Sequence, residues 1–266
     1  MRLRLAGALA LLGASCLFAG PAAAQTVSPP PGPPSGAPGV LTRYRFHLDA
    51  EHLASSDPRF VWDADFGGDL DFVDYGKGRI TALANYEAVL GSQFRSFDPN
   101  QGNYTLDVSA SFRFGANEVF GVFHHISRHL SDRPKVFSVD WNMAGARIMR
   151  HTTRGRLEMT MEGRALGVLK RSYVDYTAEI GGGIDLSLAV NPHARIIGHG
   201  DAYGMLVEQG SPRKAQNGGR VEGGVRLLGA HGAIDLFLGY ERRVDAYPLD
   251  FVPQTWFVAG FRLLSN

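Results

Sequence analysis

The sequence predicts an all-β fold, a transmembrane antiparallel β-barrel of about 12 strands, on three observations. Arg2 and Arg4 precede an apolar run from Leu5 to Phe18, and Ala22, Ala23 and Ala24 form an A-x-A pattern ending before Gln25. No comparable apolar run follows. Instead, apolar side chains recur at every second position over much of the remaining chain.

The first observation is the layout of a cleaved signal peptide, so residues 1–24 are set aside from the fold. The apolar run is too short to cross a bilayer comfortably as an anchor. The single cysteine, Cys16, falls inside this leader, and Gly13 stands three residues before it, where a lipid-anchored leader usually has Leu. The processed chain therefore has no thiol for a disulfide, a metal site or a covalent mechanism. Of 27 basic and 26 acidic residues, the leader removes Arg2 and Arg4, which leaves 25 against 26. That balance offers no electrostatic case for nucleic acid. The lack of a long apolar stretch beyond the leader excludes a helical membrane protein.

Residues 25–39 read as a tether, because SPPPGPPSGAPG at 28–39 is dominated by proline and glycine, which favour an extended, solvated chain. The barrel domain is expected over 40–266. Strands are predicted near 41–51, 58–66, 78–91, 103–115, 117–130, 135–149, 155–166, 173–190, 194–207, 219–229, 232–244 and 254–264, with the second one able to continue past Gly67 and Gly68. The clearest is Tyr104 to Phe114. There Tyr104, Leu106, Val108, Ala110, Phe112 and Phe114 share one face, opposite Thr105, Asp107, Ser109, Ser111 and Arg113. In the segment from Arg79 to Leu90 the same alternation is interrupted only by Leu83 and Val89. Gly181, Gly182 and Gly183 mark a bend or a close backbone approach within a strand.

Alternation alone fits both a sandwich, with its apolar faces packed inward, and a membrane barrel, with them turned out. The leader and the long strands favour the barrel. So do aromatic residues near strand ends, Tyr44, Phe60, Trp62, Phe114, Trp141, Tyr240 and Trp256, which suit interfacial girdles. The alternating Phe257, Ala259, Phe261 and Leu263 resemble the terminal signal of outer-membrane barrels, although the chain ends in Ser265-Asn266 and not in an aromatic.

One segment stands apart: His124-His125-Ile126-Ser127-Arg128-His129-Leu130-Ser131-Asp132, followed by Asp140-Trp141-Asn142. On a strand, His125, Ser127 and His129 share a face, so an imidazole lies beside a serine hydroxyl without any turn. This is the minimum arrangement for activating a serine nucleophile.

These residues resemble outer membrane phospholipase A, and more loosely the lipid A deacylase barrels. The resemblance rests on H-x-S, a following S-D and a W-N, over about twenty residues of this chain. It implies a twelve-stranded barrel in which His125 is the base, Ser127 the nucleophile, Ser131-Asp132 the matching S-D, and Asn142 the residue that orients the histidine. It also implies calcium dependence. The departures are Arg128 and His129 directly after Ser127, a spacing from Ser127 to Asn142 longer by three residues, which keeps Asp140 as a rival third member, and Leu130 where that family has an arginine of its oxyanion site.

The face of the strand decides between readings. Val119 and Phe123 would accompany His125 on a lipid-facing wall, yet Phe120, Val122 and Ile126 make the opposite face equally apolar, in which case His125, Ser127 and His129 would line the lumen as polar filling. The acidic string Asp63, Asp65, Asp69, Asp71 and Asp74 likewise has two readings: calcium ligands, without the spacing of an EF-hand, or lumen acids offset by Arg43, Arg45 and Arg79. The remaining histidines, among them His47, His151, His193, His199 and His231, are too dispersed to suggest zinc.

The leading functional expectation is hydrolysis of acyl esters in membrane lipids; the alternative is a non-enzymatic pore or structural barrel with a filled polar lumen. Expected partners are outer-membrane lipids and the barrel assembly machinery, which would read the C-terminal strand; a homodimer is left open. The expected location is the outer membrane.

Overall fold

A computed structural model describes residues 37–131, 133, 134 and 136–265. The expected leader, most of the expected tether and Asp132 lie outside the described residues. The described residues form twelve strands: β1 (Gly39–Leu53), β2 (Trp62–Asp74), β3 (Arg79–Gly91), β4 (Asp98–Phe114), β5 (Asn117–Leu130), β6 (Val139–Arg154), β7 (Leu157–Ser172), β8 (Tyr176–Asn191), β9 (Ala194–Val207), β10 (Gln216–Leu228), β11 (Gly232–Arg243) and β12 (Gln254–Ser265). Each pairs antiparallel with its sequence neighbours, and β1 closes the ring on β12, with Ala50 opposite Phe261. Closure leaves no sheet edge, so every strand finds ladder partners on both sides, which hydrocarbon demands of any backbone that crosses it.

The two ends of the barrel differ. The end carrying the start of β1 and the end of β12 has tight connections, of which the β4–β5 and β6–β7 turns open with Gly115 at φ 56° and Gly155 at φ 60°, a left-handed conformation that costs glycine nothing. At the other end the connections over residues 54–61, 131–138, 208–215 and 244–253 are longer.

Strand order and number agree with the sequence pattern, but several ends shift: β4 starts at Asp98 and not near 103, β6 runs Val139–Arg154 against an expected 135–149, β7 continues to Ser172 and not 166, and β2 starts and finishes later than 58–66. Gly67 and Gly68 do not break it. A side-chain carbon on Gly68 would overlap the Arg45 carbonyl oxygen, and one on Gly67 the Ala84 carbonyl oxygen, so these glycines let neighbouring strands approach closely in mid-strand. A register shift follows between Asp71 and Val73.

The outside is apolar. Phe46, Phe66, Leu106, Val108, Phe112, Ile180, Leu236, Leu238 and Phe257 are exposed there. The inside is polar and charged, and ion pairs cross it between strands that are not neighbours. Arg220 of β10 reaches Glu51 of β1 at 2.5 Å, and Arg243 of β11 reaches Asp63 of β2 at 2.6 Å and Glu87 of β3 at 2.8 Å. Buried charges are held in this way only when paired and hydrogen-bonded.

Two apolar clusters also lie inside. One contains Phe120, Val122, Ile126, Trp141, Met143 and Tyr176; the other contains Leu53, Phe60, Val89 and Trp256. Phe60, Trp141 and Trp256, expected in a girdle, are thus buried, at 0, 1 and 2 % exposure. The parity of Trp141 on β6 and of Trp256 on β12 turns them inward, and Phe60, in the β1–β2 connection, packs against Trp256. The 244–253 connection turns into the mouth of the barrel, where Gln101 Nε2 donates to the Ala246 carbonyl at 2.9 Å and Arg128 donates to the Asp245 carbonyl.

Candidate active site

Alternate residues of β5 have separate fates. Glu118, Phe120, Val122, Ile126 and Arg128 are buried, and Glu118 pairs with Arg79 inside the barrel. Phe123, at 46 % exposure, lies on the outer wall, and His125, Ser127 and His129 share its parity. His125 and Ser127 are half-buried there, and His129 is exposed. The lumen-filling arrangement for these three residues is therefore not the one observed.

The β5–β6 register brings the rest of the set together. His125 stands opposite Asn142, and Ser127 opposite Asp140. The His125 Nδ1 to Asn142 Oδ1 distance is 2.9 Å. With Nδ1 as donor, the amide oxygen fixes the tautomer that leaves Nε2 free to accept a proton. Of the two rival third members, Asn142 is thus the one that holds His125; Asp140 sits on the same wall, half-buried and across from the serine.

Ser127 Oγ is 2.8 Å from His129 Nε2, so its hydrogen bond runs to the following imidazole and not to His125. His129 in turn meets Tyr104 of β4 edge-on, with centroids 5.4 Å apart and planes at 82°. Tyr104 stands opposite Ser127 across the β4–β5 ladder and continues into an outer row with Tyr86 and Phe66. The role of His129 was open to the period-two pattern, which places it on the serine's face. Tyr104 belongs to another strand, and only the register reveals it.

The acids of β2 are occupied. Asp71 binds Arg43 and Arg79, each at 3.0 Å; Asp69 binds Arg45 at 2.9 Å; and Asp74 binds Arg113 at 2.6 Å. Asp65 accepts a hydrogen bond from Asn85 Nδ2 at 2.5 Å. Among the described residues, no group of three or more His, Cys, Asp or Glu side chains is arranged to hold a metal ion. Asp63, Asp69, Asp71 and Asp74 thus pair with lumen guanidinium groups, as the second of the two readings of the acidic string has it.

No protein-family model matches the chain, and no curated protein sequence does. Solved structures do resemble it. Outer membrane phospholipase A from Escherichia coli is 14 % identical, with 84 % of this chain and 92 % of that one covered at a TM-score of 0.52, and the same protein is known as an active-site asparagine-to-alanine mutant. The Salmonella typhi outer membrane phospholipase, a dimer with bound calcium, is 13 % identical over 85 % of this chain and 91 % of its own, at 0.51. An outer membrane channel from Pseudomonas putida is 11 % identical over 90 % and 99 %, at 0.57. The fold is that of an outer-membrane β-barrel. Both enzymes and a channel share it, so the architecture of the outer-membrane barrel does not choose between their activities. The outer wall of β5 and β6 carries the chemistry that could.

Proposed function

We propose that this chain is an outer-membrane hydrolase of lipid acyl esters, with Ser127 as nucleophile. The observation that carries the reading is the 2.9 Å contact of His125 with Asn142 on the lipid-facing side of β5 and β6, one alternate residue from Ser127. A triad turned toward the lumen could not meet an acyl chain without drawing it through the wall; one on the outer wall needs no such passage. The phospholipases of similar fold add support, and one of them is known as an active-site asparagine mutant. Calcium and a second copy are features of the Salmonella barrel and supply no step here.

In this mechanism Ser127 Oγ bonds to the ester carbonyl carbon while its proton passes to an imidazole Nε2. The collapse of the tetrahedral intermediate breaks the bond to the alcohol oxygen, which takes that proton and leaves as lysolipid. Water then attacks the acyl-serine, gives its proton to the same imidazole, and the fatty acid departs as Oγ recovers it. Asn142 holds His125 so that Nε2 stays the accepting nitrogen.

The competing pore reading must contend with the lumen, where Arg220 and Arg243 bridge strands three places apart around the ring and the 244–253 connection turns into the mouth. Purified protein in mixed micelles should release fatty acid from phospholipid or lipid A, and Ser127→Ala should abolish the release. Release that survives this substitution rejects the nucleophile, and no release from the unaltered protein, together with steady conductance in planar bilayers, supports the pore.

A further inference from the structure

We propose that His129 is a second catalytic base for Ser127, so that this site works with two imidazoles flanking one hydroxyl. The inference rests on the hydrolase reading and adds a residue that the H-x-S pattern does not include.

Three observations carry it. His125, Ser127 and His129 occupy alternate positions of one strand, which spaces their Cα atoms about 7 Å apart along a single face. The serine hydroxyl is within hydrogen-bond distance of only one ring at a time, and that ring is His129, at 2.8 Å. His129 is also held: Tyr104 packs edge-on against its ring, and its backbone N–H donates to Asn103 Oδ1 at 3.4 Å. An imidazole whose Nε2 touches the attacking oxygen satisfies the geometric demand on a general base.

The two rings divide the work through the rotamer of the serine. With Oγ turned toward the long-loop end, its proton passes to His129 Nε2 as Oγ bonds to the acyl carbon. A rotation about χ1 into another staggered well turns the hydroxyl toward His125, whose orientation Asn142 sets. In each case the imidazole that accepts the serine proton returns it to the leaving alkoxide, so protons balance over either route.

The test uses the full chain in detergent micelles, with a fluorophosphonate that labels activated serines and a short-chain phospholipid for turnover. His129→Ala should slow both labelling and kcat by about 10- to 100-fold, part of what general acid–base catalysis supplies, with KM little changed. Added imidazole should restore much of the loss, since the vacated place is open to solvent and micelle. His129→Gln, which keeps a hydrogen-bonding group but cannot take a proton, should remain slow, with a pH profile of labelling that differs from the wild-type one. The double variant His125→Asn with His129→Asn should fall to the level of Ser127→Ala. Labelling of His129→Ala at the wild-type rate, with an unchanged pH profile, overturns the second base while leaving the hydrolase standing. An unaltered protein in which Ser127 is never labelled and no ester is cleaved overturns both.

Discussion

Arg79 and Glu118 face each other inside the barrel across β3 and β5, with Nε 3.1 Å from Oε1 and Nη2 2.9 Å from Oε2, and Arg79 is wholly buried. Phe120 lies under the guanidinium, 5.4 Å from its carbon, and Ser111 Oγ donates to Glu118 Oε1 at 2.6 Å. A fork of this kind is rigid because both partners are planar and charged. Glu118→Ala takes one carboxylate from Arg79, which keeps Asp71 at 3.0 Å, and should cost about 3 kcal/mol, the low end for breaking a buried pair. Arg79→Met combined with Glu118→Leu should cost less, since no uncompensated charge stays behind. Urea unfolding in micelles measures both; a double variant worse than the single one would mean that the network contributes more than its desolvation costs.

Asn142 should matter to rate and not to stability. Its side chain lies on the outer wall, and its Oδ1 contacts His125 Nδ1. Asn142→Ala removes the tautomer restraint on one imidazole only, so kcat should fall by about tenfold, below the full 10²–10⁴ that a general base contributes, because His129 still reaches Ser127. The same substitution in a His129→Ala background should be far more damaging. Equal losses in the two backgrounds would show that the two histidines do not share the serine.

Much of this fold was legible because alternation is a local signal. From Tyr104 to Phe114 each odd residue is polar and each even one is apolar, and the structure turns them in and out accordingly. The signal failed where inside and outside were both apolar. Trp141 and Trp256 read as girdle residues although their neighbours Asn142 and Phe257 hold the outward parity. For the same reason β5 could not be oriented from sequence, since Phe120, Val122 and Ile126 fill an apolar part of the lumen. Only ring closure and the buried Arg79–Glu118 pair decide its facing. The resemblance implied the partnership of His125 with Asn142 but, at a Ser127-to-Asn142 spacing longer by three residues, left Asp140 as a rival; the β5–β6 register puts Asn142 opposite His125.

The long-loop end should respond to acid through Asp175. This carboxylate lies between β7 and β8, and although burial alone would raise its pKa, hydrogen bonds from Arg213 and from Ser211, the latter at 2.5 Å, hold it below its ordinary value. Arg213 also binds Asp245 at 2.7 Å and lies 4.4 Å over Phe251, so it ties the 208–215 and 244–253 connections together. A depressed carboxylate contributes stability that is complete above its unfolded pKa of about 4 and is lost as pH falls through the lower folded value. The part of the closure that rests on Asp175 should therefore be intact at pH 7, and limited proteolysis of these connections should rise as pH falls below about 4. Asp175→Asn should be cleaved faster already at neutral pH, and cleavage that is indifferent to this substitution would remove Asp175 from the closure.

The lipid-facing assignment itself can be tested on Val108, in the middle of β4, 52 % exposed and set between Ala82 and Phe123 on the outer wall. In hydrocarbon, Val108→Arg must bring a guanidinium near the bilayer midplane, which costs about 2–4 kcal/mol in a barrel. On a water-exposed sheet the same change should stay within about 0.5 kcal/mol, as surface substitutions usually do. Unfolding in phospholipid vesicles, with Val108→Ala as reference for lost packing, separates the two. A large penalty for arginine beyond that reference places the wall in lipid; a negligible one would mean that the apolar rows meet water or another protein layer, and Ser127 would then lose its access to membrane esters.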